Sequence, residues 1–355
     1  MKHLLIALLL SATVAAYSAA QATDQPPRIA ETQLHTEPAS TGLSATVSRF
    51  RQSGQQLWIG YAIPALPSRH SSSCSASDIT SASDDGCCGE FQLERSYNGV
   101  SSSSQNTGPR TVYVLLRLDN NAITRVLTVN AGCRLNAGGI AFEWLTGVQP
   151  DDSARFLGAL AAESTTNRSI EGPLAALAAH ATPTATTILA SLTTPANPPR
   201  LREKAAFWLG AERGHDGFLV LQKLIQSETD SELRKKLVFD LSINPDPAAT
   251  DELLSLAKSN PDARTRGEAI FWLSQKAGKK SAAAIADAVT NDPDMKVKEK
   301  AIFALSQLPP DQGIPQLIHV ADTSREPELR KKAMFWLGQS KDPRALQYIE
   351  AVLTR

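Results

Sequence analysis

Asp230-Ser231-Glu232-Leu233-Arg234-Lys235-Lys236-Leu237-Val238-Phe239-Asp240-Leu241-Ser242 decides the fold, because its pattern returns every 32 residues. Phe239 belongs to a ladder with Phe207, Phe271, Phe303 and Phe335, evenly spaced and without one insertion. Two residues further on stand Leu209, Leu241, Leu273, Leu305 and Leu337, and five residues before each Phe stand Arg202, Arg234, Arg266, Lys298 and Arg330. A second ladder keeps the same period: Leu221, Leu253, Ile285, Leu317 and Ile349. Each unit therefore holds two amphipathic helices, and neither can bury its apolar stripe without a neighbouring unit.

Boundaries agree with this division. Asp230, Asp262 and Asp294 precede the basic ladder by four residues, where a short carboxylate caps free backbone N–H groups and meets the positive end of the helix. Asn244-Pro245-Asp246-Pro247, Pro309-Pro310-Asp311-Gln312-Gly313 and Ser340-Lys341-Asp342-Pro343 supply turns between helices. Projected backward by the same period, Leu209 falls on Leu177 and then on Leu145, and Glu143-Trp144-Leu145-Thr146-Gly147 echoes the later Phe-Trp-Leu-Gly segments. The reading is a mainly α fold, an α-solenoid of about seven helix pairs over residues 139–355.

The pattern D-x-x-[LV]-R-x-x-A-x-x-x-L-G resembles the HEAT-like repeat of phycobilisome lyases and many scaffold proteins. It is carried by Asp230 to Arg234 and by Leu329-Arg330-Lys331-Lys332-Ala333-Met334-Phe335-Trp336-Leu337-Gly338. The resemblance implies a solenoid in which Asp and Arg side chains orient successive repeats, so Arg202, Arg234, Arg266, Lys298 and Arg330 are expected to be structural. It also brings two enzymatic precedents. Deoxyhypusine hydroxylase binds iron through His-Glu dipeptides, of which this chain has none, and His70, His180, His215 and His319 are scattered over different segments. A bilin lyase needs a pigment-bearing partner that nothing in the sequence specifies. No metal and no cofactor is expected.

Two surface ladders are candidates for binding. On the second helix, Lys223, Ser255, Asp287 and His319 point away from the stripe made by the 221-type and 224-type positions. On the first helix, Phe207 lies about 200° around the wheel from Ala205, which turns Phe207, Phe239, Phe271, Phe303 and Phe335 outward. The alternative placement lays each ring sideways across the next repeat. An exposed ridge of aromatic rings would mark an interaction site, whereas Trp208, Trp272 and Trp336 read as packing.

Residues 23–138 have a different texture. Leu43 to Phe50 reads as a short helix, and 57–63, 90–94, 111–118 and 123–129 read as strands, the last two joined at Asp119-Asn120-Asn121-Ala122 as a hairpin. Together they form a small β domain that caps the solenoid. Ahead of it, Met1-Lys2-His3, the apolar run Leu4 to Leu10 and Ala20-Gln21-Ala22 have the form of a secretory signal cleaved near Ala22. The mature chain is expected in the periplasm or the extracellular space, with no membrane span. Cys74, Cys87, Cys88 and Cys133 form an even set in an oxidising compartment, so they read as disulfides of open connectivity. A four-thiolate zinc site is the competing reading, and the C-x2-C pairs that favour one are absent.

Charge narrows the function. Thirty-six basic residues balance 36 acidic ones, which argues against a nucleic-acid partner. No nucleophile or metal motif is present to suggest catalysis. The expectation is an exported, non-enzymatic scaffold that binds a protein or peptide, with a redox enzyme using the Cys-rich loop as the alternative.

Overall fold

A computed structural model describes residues 25–67, 90–94, 110–131, 133–164, 166–276 and 279–354. The signal segment, Cys74, Cys87 and Cys88 lie outside the described residues. The N-terminal part contains β1 (Ile29–Ala30), β2 (Leu34–Pro38), α1 (Leu43–Ser53), β3 (Leu57–Ala65), β4 (Glu90–Gln92), β5 (Arg110–Asp119), β6 (Ala122–Asn130), β7 (Arg134–Asn136) and β8 (Ala141–Thr146). Five strands form one sheet in the order β2-β8-β3-β5-β6, and β1-β7-β4 form a smaller one. The β5–β6 hairpin turns through Asn120 and Asn121, with φ of 47° and 66°, a left-handed pair that asparagine tolerates.

Alternation along β3 explains how the sheet joins the rest. Leu57, Ile59, Tyr61 and Ile63 face a core that runs on into the helices. Trp58 and Ala62 face the other way, into a second core with Phe142, Trp144 and Leu135. Period-two side chains thus give one sheet two buried faces.

Helices occupy the remainder: α2 (Pro150–Glu163), α3 (Asn167–Ala179), α4 (Pro183–Leu192), α5 (Pro199–Glu212), α6 (Gly214–Ser227), α7 (Ser231–Ile243), α8 (Pro247–Ser259), α9 (Ala263–Gln275), α10 (Lys279–Asn291), α11 (Met295–Ser306), α12 (Pro310–Thr323), α13 (Pro327–Gln339) and α14 (Pro343–Leu353). Residues 139–147 correct the sequence reading. Glu143 to Thr146 are strand β8, paired in parallel with β2 and β3, and not the first helix of a repeat. A short apolar and aromatic run can match a helical ladder by spacing, while pairing with two flanking strands satisfies its backbone. Among the described residues, the helical array starts at Pro150 and holds six helix pairs plus the single helix α2.

First helices of neighbouring units pack closely on one another: α5 on α7, α7 on α9, α9 on α11. Second helices α6, α8, α10 and α12 touch one another far less. A two-layer stack with one tight layer bends toward it, so the first helices line the concave side. Gly210 shows how tight that layer is, because a Cβ there would lie 2.3 Å from the backbone oxygen of Asp240.

Candidate interaction face

Asp230, Asp262 and Asp294 accept backbone N–H bonds at the starts of α7, α9 and α11. The basic ladder binds just beyond them. Arg234 donates to the Glu228 carbonyl and, at 2.6 Å, to Asp262, the cap of the next first helix. Arg266 donates to the Asn260 carbonyl and grips Asp292 through Nε and Nη2 at 2.7 and 2.9 Å. Arg202 pairs with Glu228, Lys298 with Glu326, and Arg330 donates to the Ser324 carbonyl. All five side chains are committed to turns and caps inside the array.

Lys223, Ser255, Asp287 and His319 are exposed on the second-helix layer. They share no charge type. Asp287 lines a groove of about 580 Å³ with Leu254, Ala257, Lys258 and Ala284, where alanine-rich α10 leaves room against α8.

The Phe ladder combines both placements foreseen for it. Phe207, Phe239, Phe271 and Phe303 are half-buried, and Phe335, with no described unit beyond it, is 57 % exposed. Phe239 packs on Trp272 with centroids 4.8 Å apart, and Trp272 meets Phe271 edge-on at 4.9 Å. Phe271 stacks on Phe303 at 6.2 Å with planes 4° apart, and Phe303 packs on Trp336, which meets Phe335. These contacts form one aromatic ribbon across α7, α9, α11 and α13. Of the tryptophans read as packing, Trp272 and Trp336 are half-buried members of it, while Trp208 meets only Phe207. The rings lie sideways because the concave layer is tight, and their outer edges stay open.

A lattice of ion pairs borders the ribbon, each spanning adjacent first helices: Glu171 with Lys204, Glu203 with Lys236, Glu268 with Lys300, and Glu299 with Lys332. The pairs other than the one at buried Glu268 are largely open to solvent, and such pairs contribute little to stability, about 0–1 kcal/mol each. Their effect is a face that alternates charge signs beside an apolar strip.

Sequence reasoning missed a buried polar chain at the junction of the two parts. Tyr61 on β3, Ser153 on α2 and His180 after α3 are fully buried. His180 Nδ1 lies 2.7 Å from the Ala176 carbonyl and must donate to it, so Nε2, 2.9 Å from Ser153 Oγ, accepts the Ser153 hydroxyl. The Tyr61 hydroxyl, 2.8 Å away, therefore donates to Ser153. Every member is satisfied and none is reachable, so this chain locks the sheet onto the helices. Burial lowers the His180 pKa to about 4 and raises that of Tyr61. Arg213 adds donors to the carbonyls of Ala178, His180 and Thr182. No repeat spacing links these residues.

Residues 282–355 match the sequence profile of HEAT repeats. Among curated proteins none matches the chain. Of solved structures, human deoxyhypusine hydroxylase in complex with glycerol is similar at 15 % identity and TM-score 0.27, over 57 % of this chain and 90 % of that one. The complex of CpcE and CpcF of phycocyanin lyase from Nostoc sp. PCC7120 is similar at 21 % identity and TM-score 0.32, over 44 % of this chain and 98 % of that one. The fold is mainly helical, a stack of helix pairs that matches HEAT repeats over residues 282–355, behind a β-containing N-terminal part. Among the described residues, no helix is long and apolar enough to cross a membrane.

Proposed function

We propose that this chain is an exported, non-enzymatic scaffold that holds an extended polypeptide on the concave face of its first helices. The observation carrying this reading is the aromatic ribbon from Phe239 to Phe335, continuous over four units and open along one edge. Aromatic rings anchor partners because they bury much area for little lost freedom. The flanking Lys–Glu lattice offers both charge signs to a partner's side chains. Export rests on the Met1 to Ala22 segment, and disulfides among Cys74, Cys87, Cys88 and Cys133 belong to the same reading.

The test is selection of peptides from a random display library on the mature chain and on the variant Phe239→Ser, Phe271→Ser, Phe303→Ser. Circular dichroism first establishes that the variant is folded. Binders that lose affinity at least tenfold on the folded variant support the reading. An empty selection, or binders indifferent to the three substitutions, would overturn it. N-terminal sequencing of the secreted chain checks cleavage after Ala22.

A further inference from the structure

The charge lattice beside the ribbon is uneven. In α5, α7, α9, α11 and α13 the 203-type and 204-type positions, one turn before the ribbon rings, hold six lysines against three glutamates, and Glu171 on α3 supplies a fourth carboxylate. Four of the lysines have a carboxylate of their own: Lys204 with Glu171, Lys236 with Glu203, Lys300 with Glu268 and Lys332 with Glu299. Lys235 and Lys331 are left over. They stand at the ladder position from which Glu203 and Glu299 reach forward to the next helix. Lys235 lies 3.9 Å from Glu268 Oε1, the same oxygen that Lys300 holds at 2.6 Å. Lys331 makes no ion pair among the described residues.

Both ammonium groups are open to solvent, the Lys235 side chain being 56 % exposed. Each sits one helical turn before a ribbon ring, Lys235 before Phe239 and Lys331 before Phe335, so ammonium and ring share a helix face. Phe239 begins the continuous run of rings and Phe335 ends it. The ribbon therefore carries an uncompensated positive charge at each end, while every carboxylate in the two rows is held by a lysine.

We propose that the polypeptide held on this face is acidic: two of its carboxylate side chains pair with Lys235 and Lys331, and apolar side chains between them lie on the ribbon. This rests on the concave face being the binding face. Charge complementarity selects the sign, because a basic segment would meet two free ammonium groups and no free carboxylate in these rows. It also favours polypeptide over nucleic acid, since two widely separated charges match sparse carboxylates, whereas a nucleic-acid strand brings a phosphate at every nucleotide. Three helix-to-helix steps of about 8–10 Å separate the two lysines. An extended chain covers that span in about eight residues at roughly 3.3 Å each.

The probes are three matched display libraries of short peptides, with random apolar residues around a pair of glutamates, glutamines or lysines about eight residues apart. Each is selected on the full chain at pH 7. Binders are expected from the glutamate library alone, and their affinity should fall about two- to thirtyfold on the variant Lys235→Gln, Lys331→Gln, the range for losing two solvent-exposed ion pairs. Both substitutions are at exposed positions, so the variant is expected to fold, and the comparison of libraries on the unaltered chain needs no variant at all. An empty glutamate selection, equally tight binders from the glutamine or lysine library, or glutamate binders indifferent to the two substitutions would each overturn the assignment. So would an oligothymidine strand that binds as tightly as the glutamate peptides and displaces them. If peptides from the unrestricted library depend on Phe239, Phe271 and Phe303 without favouring acidic residues, the charge assignment falls and the binding face stands.

Discussion

Acid should loosen the junction between sheet and solenoid through His180. Burial is the main cause that lowers its pKa from the ordinary 6.5 to about 4. Because the folded value lies below the unfolded one, the unfolded chain takes up the proton first. Stability is then complete above the unfolded pKa, falls as pH drops from there, and stops falling below the folded pKa. Between pH 7 and pH 4 the loss from this one group is about 3 kcal/mol. Protonation would also remove the acceptor on Nε2 that takes the Ser153 hydroxyl, breaking the chain to Tyr61. Urea unfolding of the full chain and of His180→Gln, measured at pH 7 and at pH 4, isolates the term. Glutamine keeps one donor and one acceptor but does not titrate. The unaltered chain should lose about 3 kcal/mol more than the variant on acidification. Equal losses in the two proteins would refute the reasoning.

Three further outcomes follow from single contacts. Gly210→Ala places a methyl group 2.3 Å from the Asp240 carbonyl oxygen and should cost about 1–3 kcal/mol. Gly338→Ala, with open space around its Cβ, should instead stabilise by about 0.5–1 kcal/mol; thermal unfolding of the pair decides. Arg266→Ala strands the buried Asp292 carboxylate and should cost about 3–5 kcal/mol in urea unfolding, far more than Arg330→Ala, whose partner is a carbonyl. Asp240→Asn should raise the melting temperature at pH 7. Burial pushes the Asp240 pKa well up, with Glu203 adding to it, so the carboxylate opposes folding at neutral pH and less so as pH falls. An unchanged melting temperature at pH 7 would show that the carboxyl is already at ease there.

The solenoid was legible because a stacked repeat writes its contacts into the chain at one period. Phe, Leu and Arg recur at fixed offsets since each performs the same contact in each unit, and the capping aspartates mark helix starts by local chemistry alone. That regularity also misled. Trp144 and Leu145 fit the ladder by spacing, but parallel pairing between β2 and β3, strands over 80 residues away in sequence for β3, decides their conformation. Period cannot report such long-range pairing. The wheel could not place the Phe rings either, because whether a ring points out or sideways depends on how closely α7 and α9 approach. Asp240 is a break in the ladder visible in the sequence, yet only burial shows that its carboxyl is unpaired. Tyr61, Ser153 and His180 share no motif and meet solely through the docking of β3 on α2 and α3.

The central claim is that polypeptide binds along the first helices. Hydrogen exchange of the full chain, with and without a saturating library-selected peptide, tests it most directly. The account predicts slowed exchange in α7, α9, α11 and α13, with little change in α8, α10 and α12. Protection confined to the second helices, or to the β domain, would contradict it.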